Sequence, residues 1–291
     1  MSAGRGPRVL VLGARGMLGS DIVREAPAGV DVILPPGGRV DIREHAQVDH
    51  VIGETRADIV INCAAYTQVD RAETEVAEAT AVNAVAVGAL GESCAKHDVR
   101  VVHFSTDYVF AGDAGRPYTE ADDTGPLGVY GRTKLEGEQL LRAAAPASLV
   151  IRTQWLFGRA GRSFPRTMWE RARSGRATQV VADQRGCPTH AVALARATWE
   201  LIEQETEGLM HAAGGDSASW HELAQVIFAR AGVPELLSPC TTADYPTRTR
   251  RPVDSRLDCT RLQQSIGRPL PMWRHSLAEF LDELDGTPTG S

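Results

Sequence analysis

The chain has 291 residues, of which 43% are hydrophobic and 23% charged, and a formal net charge of −6. This composition predicts a soluble globular protein of one large domain or one and a half, and it argues against nucleic acid or an anionic membrane as the main partner. No apolar run is long enough to cross a bilayer, and Met1–Arg8 lacks the apolar core of a signal peptide, so we expect a cytoplasmic location. The five cysteines are scattered without a CxxC pair, which predicts reduced thiols and no metal site.

The first segment has the order of elements that opens a dinucleotide-binding fold. Arg8–Leu12 is an apolar run typical of a buried parallel strand, and Ser20–Glu25 has helical spacing. Between them lies a GxxGxxG turn. Glycines let the backbone approach a pyrophosphate, and the following helix offers free N–H groups. The turn therefore predicts cofactor contacts at Gly13, Arg15, Gly16, Met17, Leu18 and Gly19.

The second predicted strand, Asp31–Leu34, bears on the choice of cofactor. A fold that prefers NAD usually carries an acidic residue near the end of this strand to bind the adenosine ribose. Here the strand is followed by Pro35–Arg39, and both Arg15 and Arg39 are able to meet a 2′-phosphate. We therefore expect NADPH, with NADH left open, and place Asp41 and Ile42 against the adenine.

Strands and helices alternate over the first 150 residues, which predicts an α/β fold with a doubly wound parallel sheet. Small or polar residues follow two strands at the edge where such sheets bind ligands: Ala64-Ala65 after one, and Ser105-Thr106-Asp107 after another. The further predicted elements are helices Arg43–Ala57, Thr74–Asp98 and Tyr130–Ala145, strands Asp58–Cys63, Arg100–Phe104 and Ser148–Arg152, and a loop Asp113–Val129.

The second half is less regular and predicts a smaller, interleaved C-terminal lobe that binds the substrate. Ser219 and Glu222 have the spacing of a capping box, which predicts a helix to Ala231. We expect a Rossmann domain at 1–152 with parts of 177–216 returning to it, a substrate lobe at 153–176 and 217–285, and a frayed tail at 286–291. The other predicted elements are helices Ser163–Ser174, Ala191–Gln204, Leu257–Ile266 and Arg274–Leu284, and strands Ala177–Val181 and Gly208–Ala212.

Tyr130 and Lys134 stand four residues apart in the helix that follows the loop, and so share one face of it. A nearby ammonium stabilises a phenolate, which would make Tyr130 a credible acid or base. The chain has only two lysines, Lys96 and Lys134, among many arginines. Because arginine would serve wherever only charge matters, a lysine at this position indicates a need for the compact ammonium.

The ordered motifs resemble the dTDP-4-dehydrorhamnose reductase branch of the extended short-chain dehydrogenase/reductase family. The resemblance runs from about Val9 to Leu284. It is carried, besides the glycine turn, by Ala64–Thr67, Val69-Asp70, Ser105–Phe110, Pro126-Leu127, Tyr130–Lys134, Arg152-Thr153 with Trp155, Val181–Gln184, Pro188-Thr189, Arg251-Pro252, Ser255 and Leu257-Asp258.

The resemblance implies reduction of the C4 ketone of a dTDP-linked 4-keto-6-deoxy sugar by NADPH. Tyr130 would donate the proton, Thr106 would hydrogen-bond the same oxygen, with Ser105 as the alternative, and Lys134 would bind the nicotinamide ribose. Ala64, Ala65 and Tyr66 would flank the cofactor. Substrate contacts are expected at Thr67, Val69, Thr106, Asp107, Tyr130, Trp155, Arg251 and Ser255, with Arg248 and Arg250 left open beside Arg251.

Several positions depart from the branch's usual residues: Gln154, Phe157, His190–Val192, Gly125 and Gly128. These changes spare the tyrosine, lysine and threonine but touch the sugar pocket and the subunit contacts, so a related sugar, a homodimer and a Mg²⁺ requirement stay open. Two rival functions also remain. One is a nucleotide-sugar epimerase or dehydratase, and the other is a dinucleotide-binding subunit like the regulatory subunit of methionine adenosyltransferase.

Overall fold

The computed structural model describes residues 6–286, so the predicted tail lies outside the described residues apart from Gly286. The strands are β1 (Arg8–Leu12), β2 (Asp31–Ile33), β3 (Ile59–Asn62), β4 (Arg100–Thr106), β5 (Leu149–Thr153), β6 (Leu156–Phe157), β7 (Thr178–Val181), β8 (Arg185–Gly186), β9 (Thr189–His190), β10 (Gly208–His211), β11 (Ala218–Ser219) and β12 (Leu237–Cys240). The helices are α1 (Met17–Arg24), α2 (His45–Thr55), α3 (Val69–Ala72), α4 (Val76–Thr80), α5 (Ala86–Lys96), α6 (Val129–Ala144), α7 (Phe164–Arg173), α8 (Ala191–Glu203), α9 (Trp220–Arg230), α10 (Thr260–Ile266) and α11 (Trp273–Leu284).

Six strands form one parallel sheet in the order β2-β1-β3-β4-β5-β10. Apolar side chains project from both faces of the sheet, so helices must cover each face. Helices α1 and α8 cover one face, and α2, α5 and α6 cover the other. The predicted doubly wound α/β fold is therefore confirmed. The strand order reverses between β1 and β3, and ligands of such sheets bind in the crevice at that point.

A second apolar cluster lies outside the sheet. It joins buried residues of α7, α9 and α11, among them Trp169, Phe228 and Phe280. Beside it β12 pairs in parallel with β7. The strand β12 is absent from the predicted elements because its sequence, Leu-Ser-Pro-Cys, carries a proline and only a partial apolar pattern. The division of the chain into a cofactor domain and a substrate lobe remains a prediction.

The predicted helix Thr74–Asp98 differs from the observed one in its middle. Between α4 and α5 the backbone forms a π-helical segment, Ala81–Val85. Such segments are rare and occur mainly at functional sites. Here the buried side chain of Asn83 accepts a hydrogen bond from the Tyr66 backbone N–H at 2.9 Å and donates to the Tyr66 carbonyl at 3.0 Å. The segment therefore holds the chain that follows β3.

Two other predicted boundaries differ from the observed ones, the first because of a tertiary contact. The helix expected at Leu257–Ile266 begins at Thr260, since Leu257 instead forms a parallel bridge with Tyr118 in the loop before α6. The predicted strand Asp31–Leu34 ends at Ile33. In the described part of the chain, no helix is both long and apolar enough to cross a membrane.

Candidate active site

The glycine turn packs directly against the end of β3. Gly13 has a φ of +74°, and a Cβ built there would lie 2.6 Å from the backbone nitrogen of Ala64. A Cβ on Gly19 would meet the Cα of Ala14 at 2.8 Å. A side chain at Gly13 would push the turn away from the end of β3, and one at Gly19 would push α1 away from the turn. The turn therefore packs closely against the end of β3 and leads directly into α1, which begins at Met17.

A cavity of about 320 Å³ opens beside this turn at the reversal of strand order. Its lining contains six of the fourteen residues predicted to bind the cofactor. Arg15 and Arg39 are exposed outside it, and Arg15 donates to the Gly37 carbonyl at 3.2 Å. Met17, Gly19, Tyr66, Tyr130 and Lys134 are also absent from the lining. Leu18 is buried in the core, so it supports the turn from behind. The lining comprises Gly13, Gly16, Val40, Asp41, Ile42, Arg43, Cys63, Ala64, Ala65, Glu78 and Val82.

Arg43 is a cavity residue that the sequence reasoning missed. Its guanidinium forms ion pairs with Asp41 and with Glu78, the latter at 2.7 Å. Asp41 is therefore already engaged by a cation, and the side-chain hydrogen bond from Arg43 lowers the pKa of that carboxyl. The spacing of Asp41 and Arg43, two residues apart after the second strand, was the only signal in the sequence.

The predicted proton donor and its partner meet where β4 ends and α6 begins. Tyr130 lies in the first turn of α6, with its ring edge-on to Tyr108 at 5.6 Å between centroids. Burial raises the pKa of Tyr130 to about 12, and hydrogen bonding with Thr106 opposes that rise. The phenol is thus protonated at neutral pH and able to act as an acid. Thr106 is the hydroxyl that hydrogen-bonds with Tyr130. The buried hydroxyl of Ser105 has no hydrogen-bond partner among the described residues.

Lys134 lies one turn further along α6 and is buried, with 2% of its surface exposed. Its ammonium nitrogen is 2.6 Å from the carbonyl oxygen of Phe104 and 3.1 Å from Nε2 of His103. Burial lowers the pKa of Lys134 to about 8, and the charge of Glu138 opposes the change. His103 on β4 is a second residue that the sequence reasoning missed, because it falls inside an apolar strand.

Close backbone packing fixes the position of α6. A methyl group built at Gly131 would run into the carbonyl of Tyr108, and one at Gly137 into the carbonyl of Asn83. One turn beyond Lys134 on the same helix face, Glu138 forms a buried ion pair with Arg152 on β5 at 2.7 Å. Both side chains of the pair are almost fully buried. The helix that carries the tyrosine and the lysine is therefore held at the strand ends by two glycines and one ion pair.

Asp107 follows Thr106 and is buried against it. The Thr106 hydroxyl donates to its carboxylate at 3.1 Å, and Ser255 also hydrogen-bonds it. Burial raises the pKa of Asp107 to about 7, because the charged form loses its water. The structure thus brings together three residues that the sequence placed at the substrate: Thr106, Asp107 and Ser255.

A second cavity, of about 330 Å³, lies between α3 and elements of the C-terminal half. Arg251 lines it and pairs with Asp70 at 2.9 Å. Trp155, with a left-handed φ of +47°, stacks on the cavity residue Trp220 at 3.5 Å between ring centroids. Thr67 and Val69 lie outside this lining. It comprises Asp70, Phe164, Thr167, Met168, Arg171, Gln179, Val180, Val181, Gln184, Trp220, Tyr245, Thr247 and Arg251.

Most of that lining was missed because its residues come from α3, α7, β7, α9 and the chain after β12, which no motif joins. The left-open Arg248 and Arg250 are absent from it, whereas Arg251 is present. The departure at Gln154 has a packing role, since its buried side-chain oxygen accepts from the Cys187 backbone N–H at 2.9 Å. Within residues 6–286, no cluster of His, Cys, Asp and Glu is arranged to hold a metal ion.

Comparison with known proteins yields one family and many relatives. The family model of the RmlD substrate binding domain matches residues 7–285. A probable dTDP-4,6-dihydroxy-2-methyloxan-3-one 4-ketoreductase of Streptomyces antibioticus is 41% identical over 281 residues, covering 95% of each chain. The dTDP-4-dehydrorhamnose reductase of Mycolicibacterium smegmatis is 40% identical over 97% of this chain and 87% of the relative. The crystal structure of dTDP-4-dehydrorhamnose reductase from Bacillus anthracis in complex with NADP superposes with a TM-score of 0.91 at 32% identity, covering 96% of this chain and 99% of that one.

Proposed function

Since the chain belongs to the RmlD substrate binding domain family, we propose that it is an NADPH-dependent reductase of the C4 ketone of a dTDP-4-keto-6-deoxy-L-hexose. The substrate that its relatives favour is dTDP-4-dehydrorhamnose, and the product is then dTDP-L-rhamnose. The observation that carries this proposal is the buried, protonated phenol of Tyr130, hydrogen-bonded with Thr106 at the end of β4.

The reaction requires a proton donor, a hydrogen bond to the ketone oxygen and a group that holds the cofactor. When bound, NADPH supplies the hydride, and the ketone oxygen then gains negative charge that needs a proton and hydrogen-bond support. Tyr130 donates the proton, and the Thr106 hydroxyl stabilises the same oxygen. Lys134 holds the nicotinamide ribose and, when charged, favours the phenolate left on Tyr130.

The cavity beside the glycine turn suits a dinucleotide. Gly13, Gly16 and Gly19 leave no side chain between the backbone and a pyrophosphate, and α1 presents its N-terminal N–H groups there. Asp41 and Ile42 take the adenine side, while Ala64, Ala65 and Tyr66 flank the nicotinamide side. For the 2′-phosphate of NADPH we assign Arg15 and Arg39, both exposed at the rim, and NADH remains the second cofactor.

The second cavity suits the nucleotide part of the substrate. Arg251 is placed to meet a diphosphate, because guanidinium binds phosphate oxygens in a bidentate manner. Ser255 is proposed to meet the diphosphate beside Arg251. Thr67, Val69, Asp107 and Trp155 complete the proposed sugar contacts. We also retain a cytoplasmic location and leave a homodimer open.

A second activity has one specific observation in its favour. The relative from Streptomyces antibioticus is a probable 4-ketoreductase for a different dTDP-linked sugar, and it shares 41% of its residues with this chain. Gln154, which departs from the usual serine of the resemblance, lies against Gly186 and Trp155 and so shapes the sugar side. The alternative is therefore the same reaction on a related deoxysugar.

The test is an assay of NADPH oxidation with dTDP-4-keto-6-deoxyglucose in the presence of a 3,5-epimerase. We expect turnover, with dTDP-L-rhamnose identified by NMR, and a turnover lower by roughly 10²–10⁴-fold in the Tyr130→Phe variant. The assay is run in parallel with NADH and with ketosugars that differ at C2 or C3. A protein that binds NADPH yet turns over none of these sugars would contradict the proposal and favour the binding-subunit alternative.

A further inference from the structure

The hydrogen bonds around Lys134 form a continuous chain of buried groups that runs from Ala64 to Phe104. The Ala64 backbone N–H donates to Oδ1 of Asn62 at 3.0 Å, which fixes the orientation of that amide. The amide nitrogen of Asn62 then lies 3.1 Å from Nδ1 of His103. On the other side of the ring, Nε2 of His103 lies 3.1 Å from Nζ of Lys134, which also contacts the Phe104 carbonyl.

Donors and acceptors in this chain determine the tautomer of the histidine. The Asn62 amide nitrogen is a donor only, so Nδ1 of His103 must accept. Burial holds the pKa of His103 well below its ordinary value, so the ring is neutral and its single proton is on Nε2. His103 therefore points a donor at Lys134.

An ammonium carries three donors and no acceptor. If Lys134 were charged, its ammonium and Nε2–H of His103 would be two donors facing each other. Because both groups are buried, leaving a donor without an acceptor is costly. A neutral amine resolves the conflict, because its lone pair accepts from Nε2–H while its own N–H donates to the Phe104 carbonyl. Every buried group of the chain is then satisfied.

We propose that, in mildly alkaline solution, Asn62 and His103 hold Lys134 as a neutral amine while the cofactor site is empty, and that binding of NADPH there is coupled to the uptake of one proton at Nζ. The inference rests on the proposed function, in which the oxygens of the nicotinamide ribose offer Lys134 new acceptors. Acceptors favour the ammonium, and the ammonium is the form that supports the phenolate of Tyr130. The catalytic charge is thus assembled only with the cofactor in place, and Asn62 and His103 act as positioning residues.

In the part of the chain that the structure describes, no free anion stabilises the ammonium form of Lys134. Glu138 is the charge that favours it, but this carboxylate is held in its buried ion pair with Arg152. Burial lowers the pKa of Lys134 to about 8, which agrees with an easily lost proton. The titratable and charged groups around it on this helix and on the elements packed against it include Tyr130, Glu138, His103, Asp107, Tyr108, Glu73 and Arg152.

The chain offers a clean measurement, since it has only two lysines. In protein labelled with ¹⁵N- and ¹³C-lysine, Lys96 is exposed and paired with Asp49, so its signal gives the reference for an ammonium. We expect the Lys134 signal of the cofactor-free protein to move to the neutral-amine position near pH 8. Histidine labelling, with the His103 signal identified by its loss in His103→Gln, should show the proton on Nε2.

The matched variant is Asn62→Asp. One carboxylate oxygen keeps the Ala64 N–H, and the other accepts from Nδ1–H of His103, so Nε2 then offers a lone pair to an ammonium. We expect the histidine proton to move to Nδ1 and the Lys134 transition to rise by roughly two pH units.

Calorimetry of NADPH binding near pH 9, in two buffers with different ionisation enthalpies, counts the protons taken up. We expect up to one proton for the wild type, none below about pH 6 where Lys134 is already charged, and close to none for Asn62→Asp. A Lys134 signal that stays with that of Lys96 through pH 9, or binding without proton uptake, would overturn the inference. If Asn62→Asp fails to fold, the wild-type titration and the histidine tautomer still decide. If NADPH does not bind, the proposed function fails, whereas the cofactor-free lysine titration keeps its own outcome.

Discussion

Gly131 lies between the two residues that α6 delivers to the site, and Gly131→Ala should misplace both. A methyl group built there would be 2.1 Å from the Tyr108 carbonyl oxygen, whereas real Cβ atoms essentially never approach closer than 3.0 Å. The obstacle is backbone, so the helix must retreat by about 1 Å, a shift that can cost roughly 100-fold in rate. The corresponding loss of transition-state stabilisation is about 2.7 kcal/mol.

The assay is kcat/KM from NADPH oxidation with the epimerised ketosugar, beside thermal unfolding to show that the variant is folded. Glu136→Ala is the matched control, because this side chain lies exposed on the same helix. We expect Glu136→Ala to keep wild-type kinetics. If folded Gly131→Ala also keeps them, the contact between α6 and the strand end does not position Tyr130, and the reasoning is refuted.

Three further substitutions separate chemistry from support. Tyr130→Phe removes the proton donor, so kcat should fall by roughly 10²–10⁴-fold with little change in the dissociation constant for NADPH; full activity would remove the phenol from the mechanism. Thr106→Val should lower kcat by roughly 10²–10³-fold while Ser105→Ala stays near wild type, and the reverse order in steady-state kinetics would reassign the hydroxyl. Glu138→Gln leaves the buried Arg152 guanidinium without its carboxylate, so urea unfolding should show a free energy of unfolding lower by roughly 3–5 kcal/mol. The control Glu136→Gln, at an exposed position, should lose at most about 0.5 kcal/mol. Equal losses in the two variants would contradict the role of the ion pair.

Local patterns predicted the parts of the site that one short stretch of chain builds. The glycine turn after Arg8–Leu12 required only a strand, three glycines and a helix, and the structure places that turn at the reversal of strand order. The spacing of Tyr130 and Lys134 required only one helix face. Their catalytic roles remain predictions.

The parts that the sequence did not predict depend on tertiary contacts. His103 lies within an apolar strand. Its neighbours across the sheet and on α6 determine which of its ring nitrogens carries the proton. Trp220 enters the second cavity because α9 packs on α7, and nothing near it in the sequence indicates the stacking with Trp155. The π-helical segment likewise depends on Asn83 finding the backbone of Tyr66.

The last strand of the sheet has a consequence for how the chain folds during synthesis. β10 pairs with β5 residue by residue, from Leu149 with Gly208 to Arg152 with His211, although the whole stretch from β6 to α8 intervenes. Until residues 208–211 leave the ribosome, the buried Val150 and Ile151 form a bare apolar edge, and such an edge can pair with another nascent chain. A fragment cut after Arg152 would keep that edge permanently and should aggregate, even though it holds the complete glycine turn and both residues of the tyrosine-lysine pair.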